Sequence, residues 1–345
     1  MRKYILILLI CLVIPNCVHA TSVVMDMDSK RVLYGSGESE VKLIASTTKI
    51  LTAMVVINNV NIKDIVTIDE NVLKSFGSGI YVEIGEKISV EDLLYGLLLR
   101  SGNDAAIALA CYVGGSMDGF VYLMNELASS IGMTSSKFIN SSGLEDNFGN
   151  GNTSTAKDMA ILMSYAMKNE TFRRITSTKH VVVKTNYKTY DWYNKNKLLS
   201  MYKYTTGGKT GFTKKAYRTL VTSASKDNKN LAVVTLDEGN DFLKHKYLYE
   251  DAFKKYKRVL VVDSSTFLKS EGLKVKNDIY MLLSDDEIQK CEVDVVYTDD
   301  VTERVGYVNV SLNDIVYYRE DIFLYDKKED SFFYKIKNKI MSIFR

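Results

Sequence analysis

The apolar residues of this 345-residue chain change their period near Lys257, and no other feature constrains the fold as strongly. Before that point they recur every three or four residues, as in Leu93, Leu94, Leu97 and Leu98, the spacing of one helix face. After it, Leu273 and Val275, then Cys291, Val293, Val295 and Tyr297, then Val308, Val310 and Leu312 alternate with polar residues. That is the period of half-buried strands. A mixed helix-and-sheet domain followed by a small all-β module is therefore expected. The chain has one proline, Pro15, so its helix ends and turns must rely on Gly, Asn, Asp and Ser.

Residues 1–20 have the form of a secretory signal. Arg2 and Lys3 precede an apolar run from Ile5 to Ile14, and Val18-His19-Ala20 resembles a small-x-small cleavage site. The run is short for a membrane span, so cleavage after Ala20 and export are expected. A lipid attached at Cys17 is disfavoured by Pro15-Asn16 before it. Of the four cysteines only Cys111 and Cys291 lie beyond the leader, too few for a disulfide scaffold. Cys111, in the apolar run Ala105 to Val113, reads as a buried small hydrophobe. The 45 basic residues, two of which leave with the leader, nearly balance 42 acidic ones, which argues against a nucleic-acid partner. His180 and His245 stand far apart with no HExxH or Cys/His cluster, so neither a metal site nor a histidine-based triad is expected.

Before Lys257 the pattern predicts a hairpin from Ser22–Met27 and Arg31–Tyr34, then a helix from Ser46 to about Ile57. Ser89-Val90-Glu91-Asp92 reads as a capping box opening a helix that ends near Arg100. Further helices are expected over Ala105–Val113, Thr155–Met167 and Phe242–Tyr256, and strands over Leu220–Ser223 and Leu231–Leu236.

Within this frame, "IASTTKILTA", residues 44 to 53, aims a lysine at a serine from inside an apolar helix, since residues three apart share a face. A buried lysine is costly unless it is paired or gives up its proton, and giving up a proton is what a general base does. Ser101-Gly102-Asn103 follows in a turn between helices, and Lys209-Thr210-Gly211 in an edge strand. Each motif alone is weak; their order and neighbours ("LLLRSGNDAA", "STAKDMA", "GGKTGFT") make the set specific. S-x-x-K with S-D-N and K-T-G marks penicillin-binding proteins and class A β-lactamases. From about Ser22 to Lys257 the chain resembles the D-alanyl-D-alanine carboxypeptidase family of low-molecular-mass penicillin-binding proteins.

A serine hydroxyl needs a base to become nucleophilic, and with no suitable histidine Lys49 is the candidate base for Ser46. Lys209, if close, would help depress its pKa. Ser101 would relay a proton to the leaving amine, and the Asn103 amide would hold Lys49 and substrate. Lys209 and the hydroxyls of Thr210 and Thr213 would receive a terminal carboxylate, with Gly211 admitting the substrate backbone. Lys195 in "NKNKLL" is a further carboxylate candidate, but a surface lysine is the better reading. The resemblance implies an oxyanion hole made by the N–H groups of Ser46 and Phe212. Two departures touch substrate preference: Tyr217 stands where many relatives have glycine, and Asn152-Thr153 where an aromatic is common.

The expected architecture is α/β (α+β), a penicillin-binding/β-lactamase-like domain over residues 21–257. It is pictured as a two-layer sandwich, an antiparallel sheet with helices on its faces and a helical subdomain that supplies Ser101 and Asn103. A β-rich domain over 258–328 and an amphipathic helix over 329–345 follow. The resemblance implies a serine-type D-Ala-D-Ala carboxypeptidase acting on peptidoglycan stem peptides, with β-lactams as covalent inhibitors and no cofactor. A class A-like β-lactamase is disfavoured by Gly102 in the middle motif position, although Glu145 in "SSGLEDN" is an acid to watch. A non-catalytic wall-binding protein is disfavoured by the intact motifs. In Ser331 to Arg345, Phe332, Phe333, Ile336, Ile340, Ile343 and Phe344 gather on one helical face, with lysines on or beside the other. That tail is expected to lie on the outer face of the bacterial cytoplasmic membrane.

Overall fold

A computed structural model describes residues 20–298 and 304–324. The expected leader, apart from Ala20, and the expected C-terminal helix lie outside the described residues. The chain opens with the hairpin β1 (Thr21–Asp26) and β2 (Val32–Ser36), then β3 (Lys42–Leu43), a 3-10 turn over Ala45–Thr48 and α1 (Lys49–Asn59). Next come β4 (Ile65–Thr67), β5 (Lys87–Ser89), α2 (Val90–Leu99), α3 (Asn103–Gly114) and α4 (Met117–Ser130). β6 (Thr153–Ser154), α5 (Ala156–Ala166) and α6 (Glu170–Ser177) follow, then the hairpin β7 (His180–Lys184) and β8 (Thr189–Tyr193) and the single turn α7 (Leu198–Met201). β9 (Thr205–Thr213), β10 (Tyr217–Lys226), β11 (Lys229–Leu236) and α8 (Asp241–Lys255) complete the first unit.

β2-β1-β11-β10-β9 form one sheet, antiparallel throughout, with β9 at its edge. Alternation along the strands explains how it packs. Val23, Met25, Ala232 and Val234 face a core shared with α1 to α6, while Val24, Leu231 and Val233 face Leu248, Tyr249 and Phe253 of α8. Helices therefore cover both faces, giving three layers where two were pictured. On the α8 side His245 is fully buried, with its ring nitrogens 2.7 Å from Thr222 Oγ1 and 3.0 Å from Thr235 Oγ1. Burial depresses its pKa to about 3, so the ring is neutral.

The helix ends follow local chemistry. Ser89 caps α2 by accepting from the Asp92 N–H at 3.0 Å, but Asp92 closes the box through the Ser89 hydroxyl at 2.6 Å. Cys111 is half-buried, a correction to its expected full burial.

From Lys257 the described chain is mostly strand. β12 (Lys257–Val262) pairs with β14 (Ile279–Leu283), and β13 (Leu273–Val275), β17 (Ile315–Leu324), β16 (Arg304–Leu312) and β15 (Cys291–Tyr297) form a four-stranded sheet in that order. A 3-10 turn, Lys269–Glu271, and one α-helical turn, Asp285–Ile288, interrupt the strands. Arg31, from the first hairpin, reaches into this part. It is buried, donates to the Leu282 carbonyl, pairs with Glu287, and lies 5.7 Å from the Tyr256 ring centroid and 5.9 Å from that of Tyr317.

Candidate active site

The first motif straddles a change of helix type. Ser46 lies in the 3-10 turn and Lys49 is the first residue of α1, so the expected continuous helix begins later than Ser46. Ala45, just before the serine, has a left-handed backbone with φ 47°. A methyl placed on Gly143 would lie 1.9 Å from the Ala45 carbonyl oxygen. Only glycine lets the Ser142-Gly143 loop close behind the serine.

That loop supplies a partner that no residue type announces. Lys49 is fully buried, and its Nζ lies 2.7 Å from Asn103 Oδ1, 2.6 Å from the Ser142 carbonyl and 3.0 Å from Ser46 Oγ. A neutral amine has two N–H donors and one lone pair. With the donors on Asn103 and Ser142, the lone pair faces the Ser46 hydroxyl. The charge state fits: desolvation, then the neighbouring charges of Lys209 and Lys195, hold Lys49 well below the ordinary lysine range. Asp104 opposes them weakly, and its carboxylate is occupied by the backbone N–H groups of Ile80 and Tyr81.

The second motif is set by the end of α2. Ser101 adopts the left-handed conformation, φ 65°, that stops a helix. Gly102 N–H returns to the Gly96 carbonyl at 3.1 Å, and Asn103 starts α3. Ser101 thereby lines the cleft. Asn103 departs from expectation: its oxygen holds Lys49, but its amide nitrogen donates to the Phe76 carbonyl at 2.6 Å instead of facing substrate.

The third motif lies along β9. Gly211 comes so close to the serine turn that a methyl there would be 3.0 Å from the Ser46 nitrogen and 2.3 Å from Thr219 Oγ1. Thr210, Gly211 and Phe212 line the cleft beside Ser46. Lys209 is buried, donates to the Thr210 carbonyl at 2.6 Å, and has a pKa lowered to about 7 by desolvation and then by Lys195. Thr213 is a correction. Its hydroxyl is engaged by the Glu145 carboxylate and accepts from Ala216 N–H at 3.0 Å, so it does not face the cleft.

Several cleft residues lie outside the three motifs. Lys195 is exposed, as a surface lysine would be, yet lines the cleft with its Nζ 3.1 Å from Ser78 Oγ. Arg218 also lines it, paired with Asp241 at 2.7 Å. Asn140 Oδ1 accepts from Ser142 N–H at 3.1 Å and Gly143 N–H at 2.7 Å, fixing the carbonyl that Lys49 meets. Asn152 donates to Thr48 Oγ1 at 3.0 Å and to the Asn140 carbonyl at 2.8 Å. The Asn-Ser-Ser-Gly cluster signals a turn; that its carbonyl serves a lysine leaves no trace in residue type. Tyr217, at the position where glycine is common, keeps the left-handed backbone with φ 55°.

Comparison with known proteins accords with this geometry. The family model described as D-alanyl-D-alanine carboxypeptidase, peptidase S11, matches residues 14–240. The D-alanyl-D-alanine carboxypeptidase DacF of Bacillus subtilis is 34% identical over 221 residues, covering 62% of this chain. The chain spans only 56% of that protein's length. The crystal structure of a D-alanyl-D-alanine carboxypeptidase from Mycobacterium tuberculosis, at 30% identity, superposes with a TM-score of 0.65 over 68% of this chain and 90% of its own. Penicillin binding protein 5 from Haemophilus influenzae shares the fold, with a TM-score of 0.73 over 88% of this chain and 95% of its own at 23% identity. The chain belongs to the D-alanyl-D-alanine carboxypeptidase family of serine peptidases.

Proposed function

We propose that the chain removes the terminal D-alanine from peptidoglycan stem peptides through an acyl-enzyme on Ser46, and that β-lactams acylate the same serine. The observation that carries this reading is Lys49, buried, its donors spent on Asn103 and Ser142 and its third position 3.0 Å from Ser46 Oγ. Lys49 takes the hydroxyl proton as Ser46 attacks the D-alanyl carbonyl. The oxyanion is received by the N–H groups of Ser46 and Phe212, where loss of one donor costs about 3 kcal/mol of transition-state stabilisation. Ser101 passes a proton to the leaving D-alanine, and water then releases the shortened peptide. The substrate carboxylate meets Thr210 and Lys195, with Lys209 supplying field from beneath. Glu145, the acid a class A-like deacylation would need, is committed to Thr213.

The β-rich stretch from residue 258 to 328 is read as a separate domain. The tail from 329 to 345 is read as an interfacial anchor that holds the exported enzyme on the outer face of the cytoplasmic membrane. Mass analysis of muropeptides after incubation with the purified protein tests the activity. Pentapeptides shortened by one D-alanine are expected, and unchanged pentapeptides contradict the reading. Deleting residues 331–345 is expected to release a soluble enzyme that still labels with penicillin; continued sedimentation with membranes contradicts the anchor.

A further inference from the structure

Directly after β8, the segment Asn194-Lys195-Asn196-Lys197 separates two cavities. Lys195 and Lys197 line the catalytic cleft. Asn194 and Asn196 line a second cavity of about 500 Å3, which Lys197 borders as well. The segment is tied down as a strap. Asn194 Nδ2 donates to the Thr178 carbonyl at 2.9 Å, its Oδ1 accepts from Asn196 N–H at 2.9 Å, and Lys195 N–H donates to the Leu99 carbonyl at 3.0 Å.

Asn196 is the anomaly in this wall. It is only 3% exposed, and its Oδ1 accepts from Leu198 N–H at 3.2 Å, but its amide nitrogen has no hydrogen-bond partner among the described residues. A buried donor left unpaired is costly, and folded proteins leave few of them. The mobile charges beside it have one sign. Lys179 and Lys197 border the same cavity, and no ion pair engages either among the described residues. Asp191, next to this wall, is taken by His180 at 2.7 Å, and Glu250 lines an adjoining cavity that Lys179 shares. Tyr193, its ring 4.3 Å from that of His180, joins Leu199 and Met201 to give the cavity an apolar side. Two lysines acting as point charges, with a lone amide donor, suit a tetrahedral phosphate. A planar carboxylate is better served by the fork of an arginine.

We propose that this cavity is a second ligand site, separate from the catalytic serine, that binds a small organic phosphate ester. The phosphate lies between Lys179 and Lys197 and gives the Asn196 nitrogen the acceptor it lacks. The organic group rests on Tyr193, Leu199 and Met201. Binding is noncovalent, and no bond of the ester breaks. Occupancy is felt in the cleft, because Lys197 borders both spaces and the same strap carries Lys195. With Lys197 held by the phosphate, an anionic acylating agent such as benzylpenicillin meets less positive field and reacts more slowly. That consequence rests on the acyl-enzyme reading above; the binding site does not.

Isothermal titration calorimetry of the full chain with glycerol 3-phosphate tests the site, with glycerol as the uncharged control. The wild type is expected to bind one glycerol 3-phosphate, more weakly as salt is raised, and not to bind glycerol. Lys179→Glu, outside the catalytic cleft, and Asn196→Asp, which keeps the acceptor for Leu198 and loses the donor, are each expected to weaken binding about fivefold or more. Circular dichroism reports whether the variants are folded. Without the ester, Lys179→Glu should be acylated by benzylpenicillin within about twofold of the wild-type rate. The ester should slow acylation of the wild type about twofold or more and leave Lys179→Glu unaffected. No binding by the wild type, or equal binding by both variants, overturns the site. Vesicles of phosphatidylglycerol present the same group on a lipid. If Lys179→Glu weakens vesicle binding while glycerol 3-phosphate fails to bind the wild type, the site reads a headgroup and the soluble ester is overturned. Binding with unchanged acylation overturns the coupling to the cleft alone. A chain that binds the ester and never reacts with penicillin overturns the acyl-enzyme reading and leaves the site standing.

Discussion

In the proposed mechanism Lys49 carries the chemistry because its burial keeps it from water. Its three partners are a side-chain amide, a backbone carbonyl and the serine hydroxyl, and a neutral amine satisfies all three. Lys49→Arg keeps the charge and forfeits the base, because guanidinium does not deprotonate at working pH. Its penicillin acylation rate is expected to fall by about 10²- to 10⁴-fold, the usual worth of a general base; a rate near wild type in stopped-flow would place the base elsewhere. The acylation rate of the wild type should climb as Lys49 loses its proton and level off below the ordinary lysine range. Lys195 is one of the cations that depress Lys49. Lys195→Met should therefore raise the Lys49 pKa and move the rising limb to higher pH, and an unmoved limb would show that this charge is screened. That Ser46, Lys49 and Asn103 meet and that Ser101 lines the same cleft was legible in the sequence, because each motif residue was singled out for its own side chain. Ser142 was not, since a carbonyl belongs to every residue, and the engagement of Thr213 by Glu145 depends on a contact 68 residues distant.

Secondary structure was legible where one period ran long enough. The helices over α2, α3, α5 and α8 and the strands β10 and β11 lie where apolar spacing puts them, within a few residues at their ends. The hairpin β7–β8 escaped notice, although Tyr190 and Trp192 alternate with exposed residues, because no Asn-Gly or Asp-Gly turn marks it. Its Tyr190 hydroxyl lies 2.9 Å from both carboxylate oxygens of buried Glu86, locking the hairpin to the loop before β5. The outer layer has its own pH limit. His245 between β10, β11 and α8 holds no proton in the fold until pH falls to about 3, whereas the unfolded chain takes one near its ordinary value of 6.5. The unfolded state therefore binds more protons between those values, and stability declines as pH drops through that window, by at most about 1.4 kcal/mol per pH unit. A His245→Asn variant, measured by urea unfolding at pH 7 and pH 4.5, is expected to lose less stability between the two than wild type. An equal loss would mean that other groups govern acid unfolding.

Over the molecule as a whole, the change of period near Lys257 coincides with a change from mixed layers to strands, and Arg31 ties the two parts together. This tie was invisible in the sequence, because an arginine in a hairpin turn gives no hint of a partner some 250 residues away. Arg31→Ala should leave acylation by penicillin near wild type while making the chain around Lys257 more readily cut in limited proteolysis. Unchanged cleavage would show that the apolar contacts near Tyr256 and Leu282 suffice. Everything proposed for catalysis converges on one oxygen, and intact-mass spectrometry after exposure to benzylpenicillin reads it. Wild-type protein is expected to gain one penicilloyl adduct, and Ser46→Ala, folded by circular dichroism, to gain none. An adduct of equal yield on Ser46→Ala would place the nucleophile elsewhere and undo the mechanism.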